Sequence, residues 1–325
     1  MITGLLALAA CGSGGGGSGT GGTSSTSSST GGKSTTGVST GSSSGAGMGG
    51  SITTCPPGMT YGGGEQTLVG TAAKATIVDE TGAPVAAGQP LFICGINECS
   101  PPGVTGANGS ASMTTNLSLK KPAFKYGDAL NYAEFAIPLT AATTDFTTIG
   151  TGKLATAKLA GTPGATLTAG TAAVAGDVTV SIPAGASVGV NALVYAPGDQ
   201  QKLRAVNVPL ANMSAVLDGV TVGDGGPADF ALVYGVAPTE TTICPAATVT
   251  VALSHATTMP NDLGWAPGAA VEFWIMTVDT GQTYAPYAGW AKMSDGAVSA
   301  DGKSVTTAAG QGFITLENFA IRLKS

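Results

Sequence analysis

Asp177-Val-Thr-Val-Ser-Ile182 decides the fold class. Val178, Val180 and Ile182 fall on one side of an extended chain, with Thr179 and Ser181 on the other. That is the period of a β-strand, since successive side chains of a strand point to opposite faces. The alternation returns in Thr248–Ser254 through Val249, Val251 and Leu253, and again in Val206, Val208 and Leu210. Farther along, Val271, Phe273 and Ile275 share one face and leave Glu272, Trp274 and Met276 on the other. Between such runs stand Asp79-Glu-Thr-Gly82, Asn108-Gly109, Asp224-Gly-Gly-Pro227, Asp295-Gly296 and Asp301-Gly302, which read as turns. No long window places apolar residues at helical spacing, and alanine-rich pieces such as Ala172–Ala175 are too short and too interrupted for a helix. The expectation is an all-β protein of sandwich or barrel type.

Composition narrows the function classes. The chain has 325 residues, of which 51 are glycine, 10% are charged and 43% are hydrophobic, with a formal net charge of −6. The hydrophobic share is enough to bury a core, while charge is far below the usual quarter. A basic nucleic-acid footprint is absent, so no nucleic-acid partner is expected. One histidine cannot build a multi-histidine metal site, and no metal or other cofactor is expected. After residue 11 no 18-residue apolar run occurs, so no transmembrane helix is expected.

The first eleven residues point to an address. Met1–Ala10 is a short apolar run ending in small residues, and Leu8-Ala9-Ala10-Cys11 resembles the lipobox of bacterial lipoproteins. The resemblance implies a signal peptide over residues 1–10, cleavage before Cys11, and acylation of that cysteine as the membrane anchor. Gly12 does not carry the aspartate that acts as an inner-membrane retention signal in enteric lipoproteins, so the resemblance implies the outer membrane or cell surface. Residues 12–53 are almost entirely Gly, Ser and Thr, with Lys33 as the one charge. Such a stretch has too little apolar surface to offset chain entropy and reads as a disordered tether. About 40 residues of this kind reach roughly 35 Å, from 5–6 Å times the square root of length. Residues 11–53 are therefore expected to lift a folded head off a membrane.

The head is expected to divide at residue 150. Within 54–150, Leu68–Val85 carries Asp79-Glu-Thr-Gly-Ala-Pro-Val85, followed by Pro90-Leu-Phe-Ile-Cys94 and Thr105-Gly-Ala-Asn-Gly-Ser-Ala111. This resembles the carboxypeptidase-regulatory-like, or transthyretin-like, β-sandwich found in many bacterial surface proteins. Within 151–325, Ile182-Pro-Ala-Gly-Ala186, Pro267-Gly-Ala-Ala-Val-Glu-Phe273 and Ser299-Ala-Asp-Gly-Lys-Ser-Val305 resemble the sandwich module of ankyrins and netrin receptors. Related modules occur in Ser/Gly-tethered surface lipoproteins common in myxobacteria. The resemblances imply two Ig-like or transthyretin-like sandwiches with no catalytic residues to transfer.

With Cys11 assigned to the lipid, Cys55, Cys94, Cys99 and Cys244 remain, and four cysteines allow three pairings. Cys94 and Cys99 flank a short loop that closes locally, which leaves Cys55 for Cys244. Cys-x₄-Cys is not the redox spacing, and disulfides suit an exported compartment.

Two functional patterns compete with a purely structural reading. Gly185-Ala-Ser187-Val-Gly189 fits the nucleophile-elbow pattern, and His255 follows it as an exported serine hydrolase would need. That pattern requires a helix after Ser187, whereas Asn191-Ala-Leu-Val-Tyr195 reads as a continuing strand, so a strand-end turn is expected. Asp224–Asp229 lacks the acidic calcium loop and reads as an ordinary turn. Trp265, Phe273, Trp274, Tyr284, Tyr287 and Trp290 form the one aromatic concentration. Trp265, Trp274, Tyr287 and Trp290 could stack a sugar or a protein partner, against the alternative that they fill the sandwich. The reading that emerges is a non-enzymatic cell-envelope lipoprotein presenting β-sandwich modules for adhesion, binding or structure. Its membrane contact would run through Cys11, and a glycan or protein would be its further partner. A carbohydrate-binding accessory module is the first alternative and an exported serine hydrolase the second.

Overall fold

The structure, a computed structural model, describes residues 67–79, 81–126, 129–133, 135–139, 153–155, 157–159, 163–192, 194–213, 229–253, 263–277 and 284–324. The chain divides into two units, Met1–Ser44 and Gly45–Ser325, and every described residue belongs to the second.

The described residues hold twenty strands and no α-helix, as the alternating pattern requires. The first nine are β1 (Thr67–Val78), β2 (Pro90–Cys94), β3 (Gly103–Val104), β4 (Ser110–Lys120), β5 (Ala123–Tyr126), β6 (Tyr132–Ala133), β7 (Ala136–Pro138), β8 (Lys153–Ala155) and β9 (Ala157–Lys158). They make three small sheets, ordered β4-β1-β8, β3-β2-β5-β7 and β6-β9. The remaining eleven form one large sheet: β10 (Ala172–Ala175), β11 (Val178–Ser181), β12 (Ser187–Gly189), β13 (Arg204–Asn207), β14 (Leu232–Ala237), β15 (Thr241–Ala252), β16 (Ala270–Met276), β17 (Trp290–Val298), β18 (Ser304–Thr307), β19 (Phe313–Leu316) and β20 (Asn318–Leu323). Its order is β10-β11-β15-β18-β17-β16-β20-β14-β13, with β12 and β19 also pairing β15. Among the described strands, only β1 and β8 pair in parallel. The long strand β15 serves two sets of partners, and its pairing with β19 is interrupted between Thr242 and Ala247. Pro245 lies in that interruption, where the missing N–H costs no ladder bond.

The large sheet curls until its edges meet. The segment just before β10 is held at β13's edge: Gly164 N–H donates to Leu203 O at 2.7 Å and Leu203 N–H to Ala165 O at 3.0 Å. Gly164 is also pressed against β10, where a Cβ would come within 2.1 Å of Val174 O. Only glycine lets the two edges approach this closely.

Two apolar cores lie on opposite faces of this sheet. Val271, Phe273 and Ile275 of β16 turn inward with Val178, Val180, Val249 and Val251. Phe313 anchors that core, edge-on to Phe319 at 5.5 Å and to Phe273 at 6.0 Å. Trp274 and Met276, on the other face of β16, join Leu91, Ile93, Phe124 and Tyr126 in the second core. A strand buried on both faces needs an unbroken run of buried side chains, and Val271–Met276 is one. The expected boundary at 150 falls in residues 140–152, outside the described residues, and this second core draws on residues from both sides of it.

Several expected local features differ. Asp295-Gly296 is not a turn: both residues lie inside β17, where Gly296 leaves room for the Phe273 ring and Thr306 O, at 2.6 and 2.5 Å from where a Cβ would stand. The run Val206–Leu210 ends as a strand at Asn207, and Leu210 sits exposed in a 3₁₀ turn after Pro209. Asn191–Tyr195 is not a strand: Asn191 O accepts from both Val194 N–H and Tyr195 N–H, at 3.2 and 2.9 Å, closing a turn. Asp79-Gly82 does turn, its Asp79 carboxylate accepting from Thr81 N–H at 2.9 Å and Ala83 N–H at 3.0 Å. Asp224-Pro227 lies outside the described residues.

Candidate functional site

Among the described residues, a concentration of charge in contact with the core lies on β16, β17 and β20. The alternation that turns Trp274 to the second core also places Glu272 on that face, one step nearer the strand's start. Register sets its neighbours: Glu272 lies opposite Asp295 on β17 and opposite Arg322 on β20. A register shift between Phe273 and Trp274 then brings Lys292 opposite Trp274. Glu272 and Arg322 are each 7% exposed.

The carboxylate of Glu272 is used at both oxygens. Oε1 accepts from Lys292 Nζ at 3.0 Å. Oε2 accepts from Arg322 Nε at 2.9 Å and from Trp274 Nε1 at 3.2 Å. The Arg322 guanidinium also stacks over the Trp274 ring, 4.6 Å from its centroid, and its Nη1 donates to Asp229 Oδ1 at 3.0 Å. On the other side Lys292 reaches Asp295 Oδ1 at 2.8 Å, and Lys324 reaches the same oxygen at 3.0 Å. The result is a row of six groups, Lys324, Asp295, Lys292, Glu272, Arg322 and Asp229, alternating in sign across the sheet.

Electrostatics define what this row can do. Burial pushes the Glu272 carboxyl up, but hydrogen bonds from Lys292, Arg322 and Trp274 outweigh it and hold the group below the ordinary carboxylate value. Asp295 follows the same pattern, with Lys292 and Lys324 overcoming burial. For Lys292 burial pushes down, and bonds to Asp295 and Glu272 raise it above the ordinary amine value. All three groups are driven away from neutrality, whereas a general acid or base works best with a pKa near the operating pH. The row is a lock between three strands, and its chemistry is that of permanent ion pairs.

No protein family, curated protein or solved structure matches this chain. Its functional reading rests on its own residues.

The aromatic candidates do not form a surface. Trp265, Trp274 and Trp290 are 6%, 1% and 2% exposed. Trp274 and Trp290 enter the second core, where Phe230 lies 6.3 and 4.8 Å from their rings, and Trp265 enters the inner one. Tyr287 is half-buried and donates its hydroxyl to Cys94 O at 3.1 Å. The three tryptophans fill cores because both faces of β16 and the start of β17 are covered.

Ser187 stands exposed at the first position of β12, opposite Cys244, and a strand follows it rather than the helix an elbow needs. His255, Cys11 and Cys55 lie outside the described residues. Cys94 and Cys99 are joined, with Sγ–Sγ 2.05 Å, and Cys244 is disulfide-bonded as well. The loop they close is stitched to β4: Asn97 Nδ2 donates to Ser118 O at 2.9 Å, and Lys120 N–H donates to Asn97 Oδ1 at 2.8 Å. Among the described residues no group of three His, Cys, Asp or Glu side chains could hold a metal, and no helix is long and apolar enough to cross a membrane.

The sequence pattern gives no role to Lys292 or Arg322, and it reads Asp295 only as part of a turn. One signal was available for Arg322: Asn318-Phe-Ala-Ile-Arg-Leu323 is an apolar strand with one charge, and such a charge needs a buried partner.

Proposed function

We propose that the protein is a non-enzymatic lipoprotein of the cell envelope, whose all-β head presents a binding or structural surface at the end of a flexible tether. The Cys94–Cys99 disulfide carries this reading, because such bonds persist in oxidising compartments and are rare where thiols are kept reduced. The Leu8-Ala9-Ala10-Cys11 sequence supplies the anchor, and the Gly/Ser/Thr stretch after it supplies reach. The alternating ion row suits a head that must stay rigid without catalytic work.

Mass spectrometry of membrane-extracted protein tests the anchor, with protease shaving of intact cells alongside. A triacylated Cys11 and a head removed by external protease are the expected results. An unmodified chain in the soluble fraction with free thiols refutes the proposal.

A further inference from the structure

Among the described residues, strand β4 is an edge whose middle has no strand on its outer flank. Among the described residues it pairs with β1 alone, through nine of its eleven residues. The other edges are managed. β3, β6 and β9 have two residues each, β8 and β12 have three, β19 has four, and β7 ends in Pro138. The edges of the large sheet, β10 and β13, are bridged by the segment around Gly164. Short strands, proline and closure are the usual protections against strand addition.

Both ends of β4 are capped by the chain itself. At the start Gly106 N–H donates to Ser110 O at 2.6 Å. At the finish Asn97 takes the place of a strand residue beside Ser118 and Lys120, and Ile96 N–H donates to Lys120 O at 2.9 Å. A register shift opposite Val69–Thr71 ends regular pairing after Thr115. The stretch Ala111–Thr115 between these limits has its outer flank uncapped by any described residue. Ser112, Thr114 and Asn116 stand exposed on its solvent face, and no charge or proline interrupts it.

We infer that β4 is a homodimerisation edge, joining a second copy of this chain as an antiparallel strand about a two-fold axis at Met113. The uncapped stretch is its own complement. Centred on Met113, the pairing sets Ser112 of each copy against Thr114 of the other. Small hydroxyl pairs of this kind are favourable across a ladder. The two strands contain one charge each, Lys120, which would fall opposite Gly106 of the second copy. A chain of net charge −6 therefore meets itself along a charge-free line. Extended backbone is the chemistry an open edge recognises, and a two-fold contact closes on itself instead of propagating. A strand-length contact lies at the small end of interface sizes, so the dimer is reversible.

Sedimentation equilibrium of the full chain from micromolar to millimolar concentration tests this, with two paired variants. The wild type is expected to show a reversible monomer–dimer equilibrium. Ser112→Lys with Thr114→Lys sets like charges opposite each other and is expected to weaken association at least tenfold. Ser112→Lys with Thr114→Glu sets opposite charges there and is expected to restore it. Both sites are exposed, so melting temperatures serve as the check that each variant is folded. A wild type that stays monomeric to millimolar overturns the inference. So does a dimer indifferent to the lysine pair, or one that the Lys/Glu pair leaves broken.

Discussion

Replacing Glu272 by glutamine removes one charge from the middle of the ion row while keeping the side chain's shape. In the native protein Lys292 and Arg322 each place a charged donor on this carboxylate, with Trp274 as a third donor. The amide can accept at only one of its two ends, so a donor group faces a donor at the other. Hydrogen bonds to charged groups are each worth about 1.5–3 kcal/mol, and breaking a buried pair by removing one partner costs about 3–5 kcal/mol. Lys292 retains Asp295 and Arg322 retains Asp229, which places the expected loss near the lower end, at about 3 kcal/mol. At 2–4 °C per kcal/mol for a unit of this size, the melting temperature should fall by roughly 6–12 °C. Urea unfolding is the assay, with the midpoint lowered and the slope unchanged. The double substitution Glu272→Met with Arg322→Met should recover most of the loss, because the site lies beside Trp274 and Met276 and an apolar pair of similar volume avoids desolvation. A loss below about 1 kcal/mol for Glu272→Gln would mean that the row behaves as a solvent-screened surface pair, and the argument from burial would fail.

Other expectations are open to direct measurement. Glu272 and Asp295 titrate below their ordinary values in the folded protein, so their contribution is complete above the unfolded values of about 4.3 and 3.9 and is lost as pH falls through the folded ones. Lys292 titrates above its ordinary value, so its contribution is complete below about 10.4 and is lost as pH rises beyond it. Urea midpoints should therefore form a plateau between those limits, and Glu272→Gln should flatten the acid side. Gly164→Ala should cost about 1–3 kcal/mol by forcing β10 and β13 apart, and amide exchange should rise at Leu203. Replacing Cys94 and Cys99 by serine should cost about 2 kcal/mol for a loop this short, with exchange rising at Ile96 and Lys120, whose amides the loop contacts hold. Acrylamide should quench tryptophan emission weakly, since all three tryptophans are buried, and strong quenching would reopen an aromatic surface.

Local features of the fold were legible because a strand's period is a property of neighbouring residues. Val178, Val180 and Ile182 do share a buried face, as do Val249, Val251 and Leu253. Trp274 and Met276 do lie opposite Val271, Phe273 and Ile275. The Asp79-Gly82 turn and the Cys94–Cys99 bond also depend on residues a few positions apart. Asp295-Gly296 misled for an instructive reason. The pair usually signals a turn, yet here the glycine makes room for Phe273 across the sheet, a neighbour no local pattern reveals.

What the amino-acid sequence by itself determined was the class of structure and the side on which each strand residue falls, because alternation, turn residues and composition act over a few bonds. What only the tertiary structure decided was which strands became neighbours. Glu272, Asp295 and Arg322 are scattered over fifty positions, from 272 to 322, and become one row through the β17-β16-β20 order and its register. The same long-range pairing covered both faces of β16, turning its tryptophan from a platform into core. Cross-strand register is set by the balance of burial over the whole sheet, so no single stretch of chain encodes it.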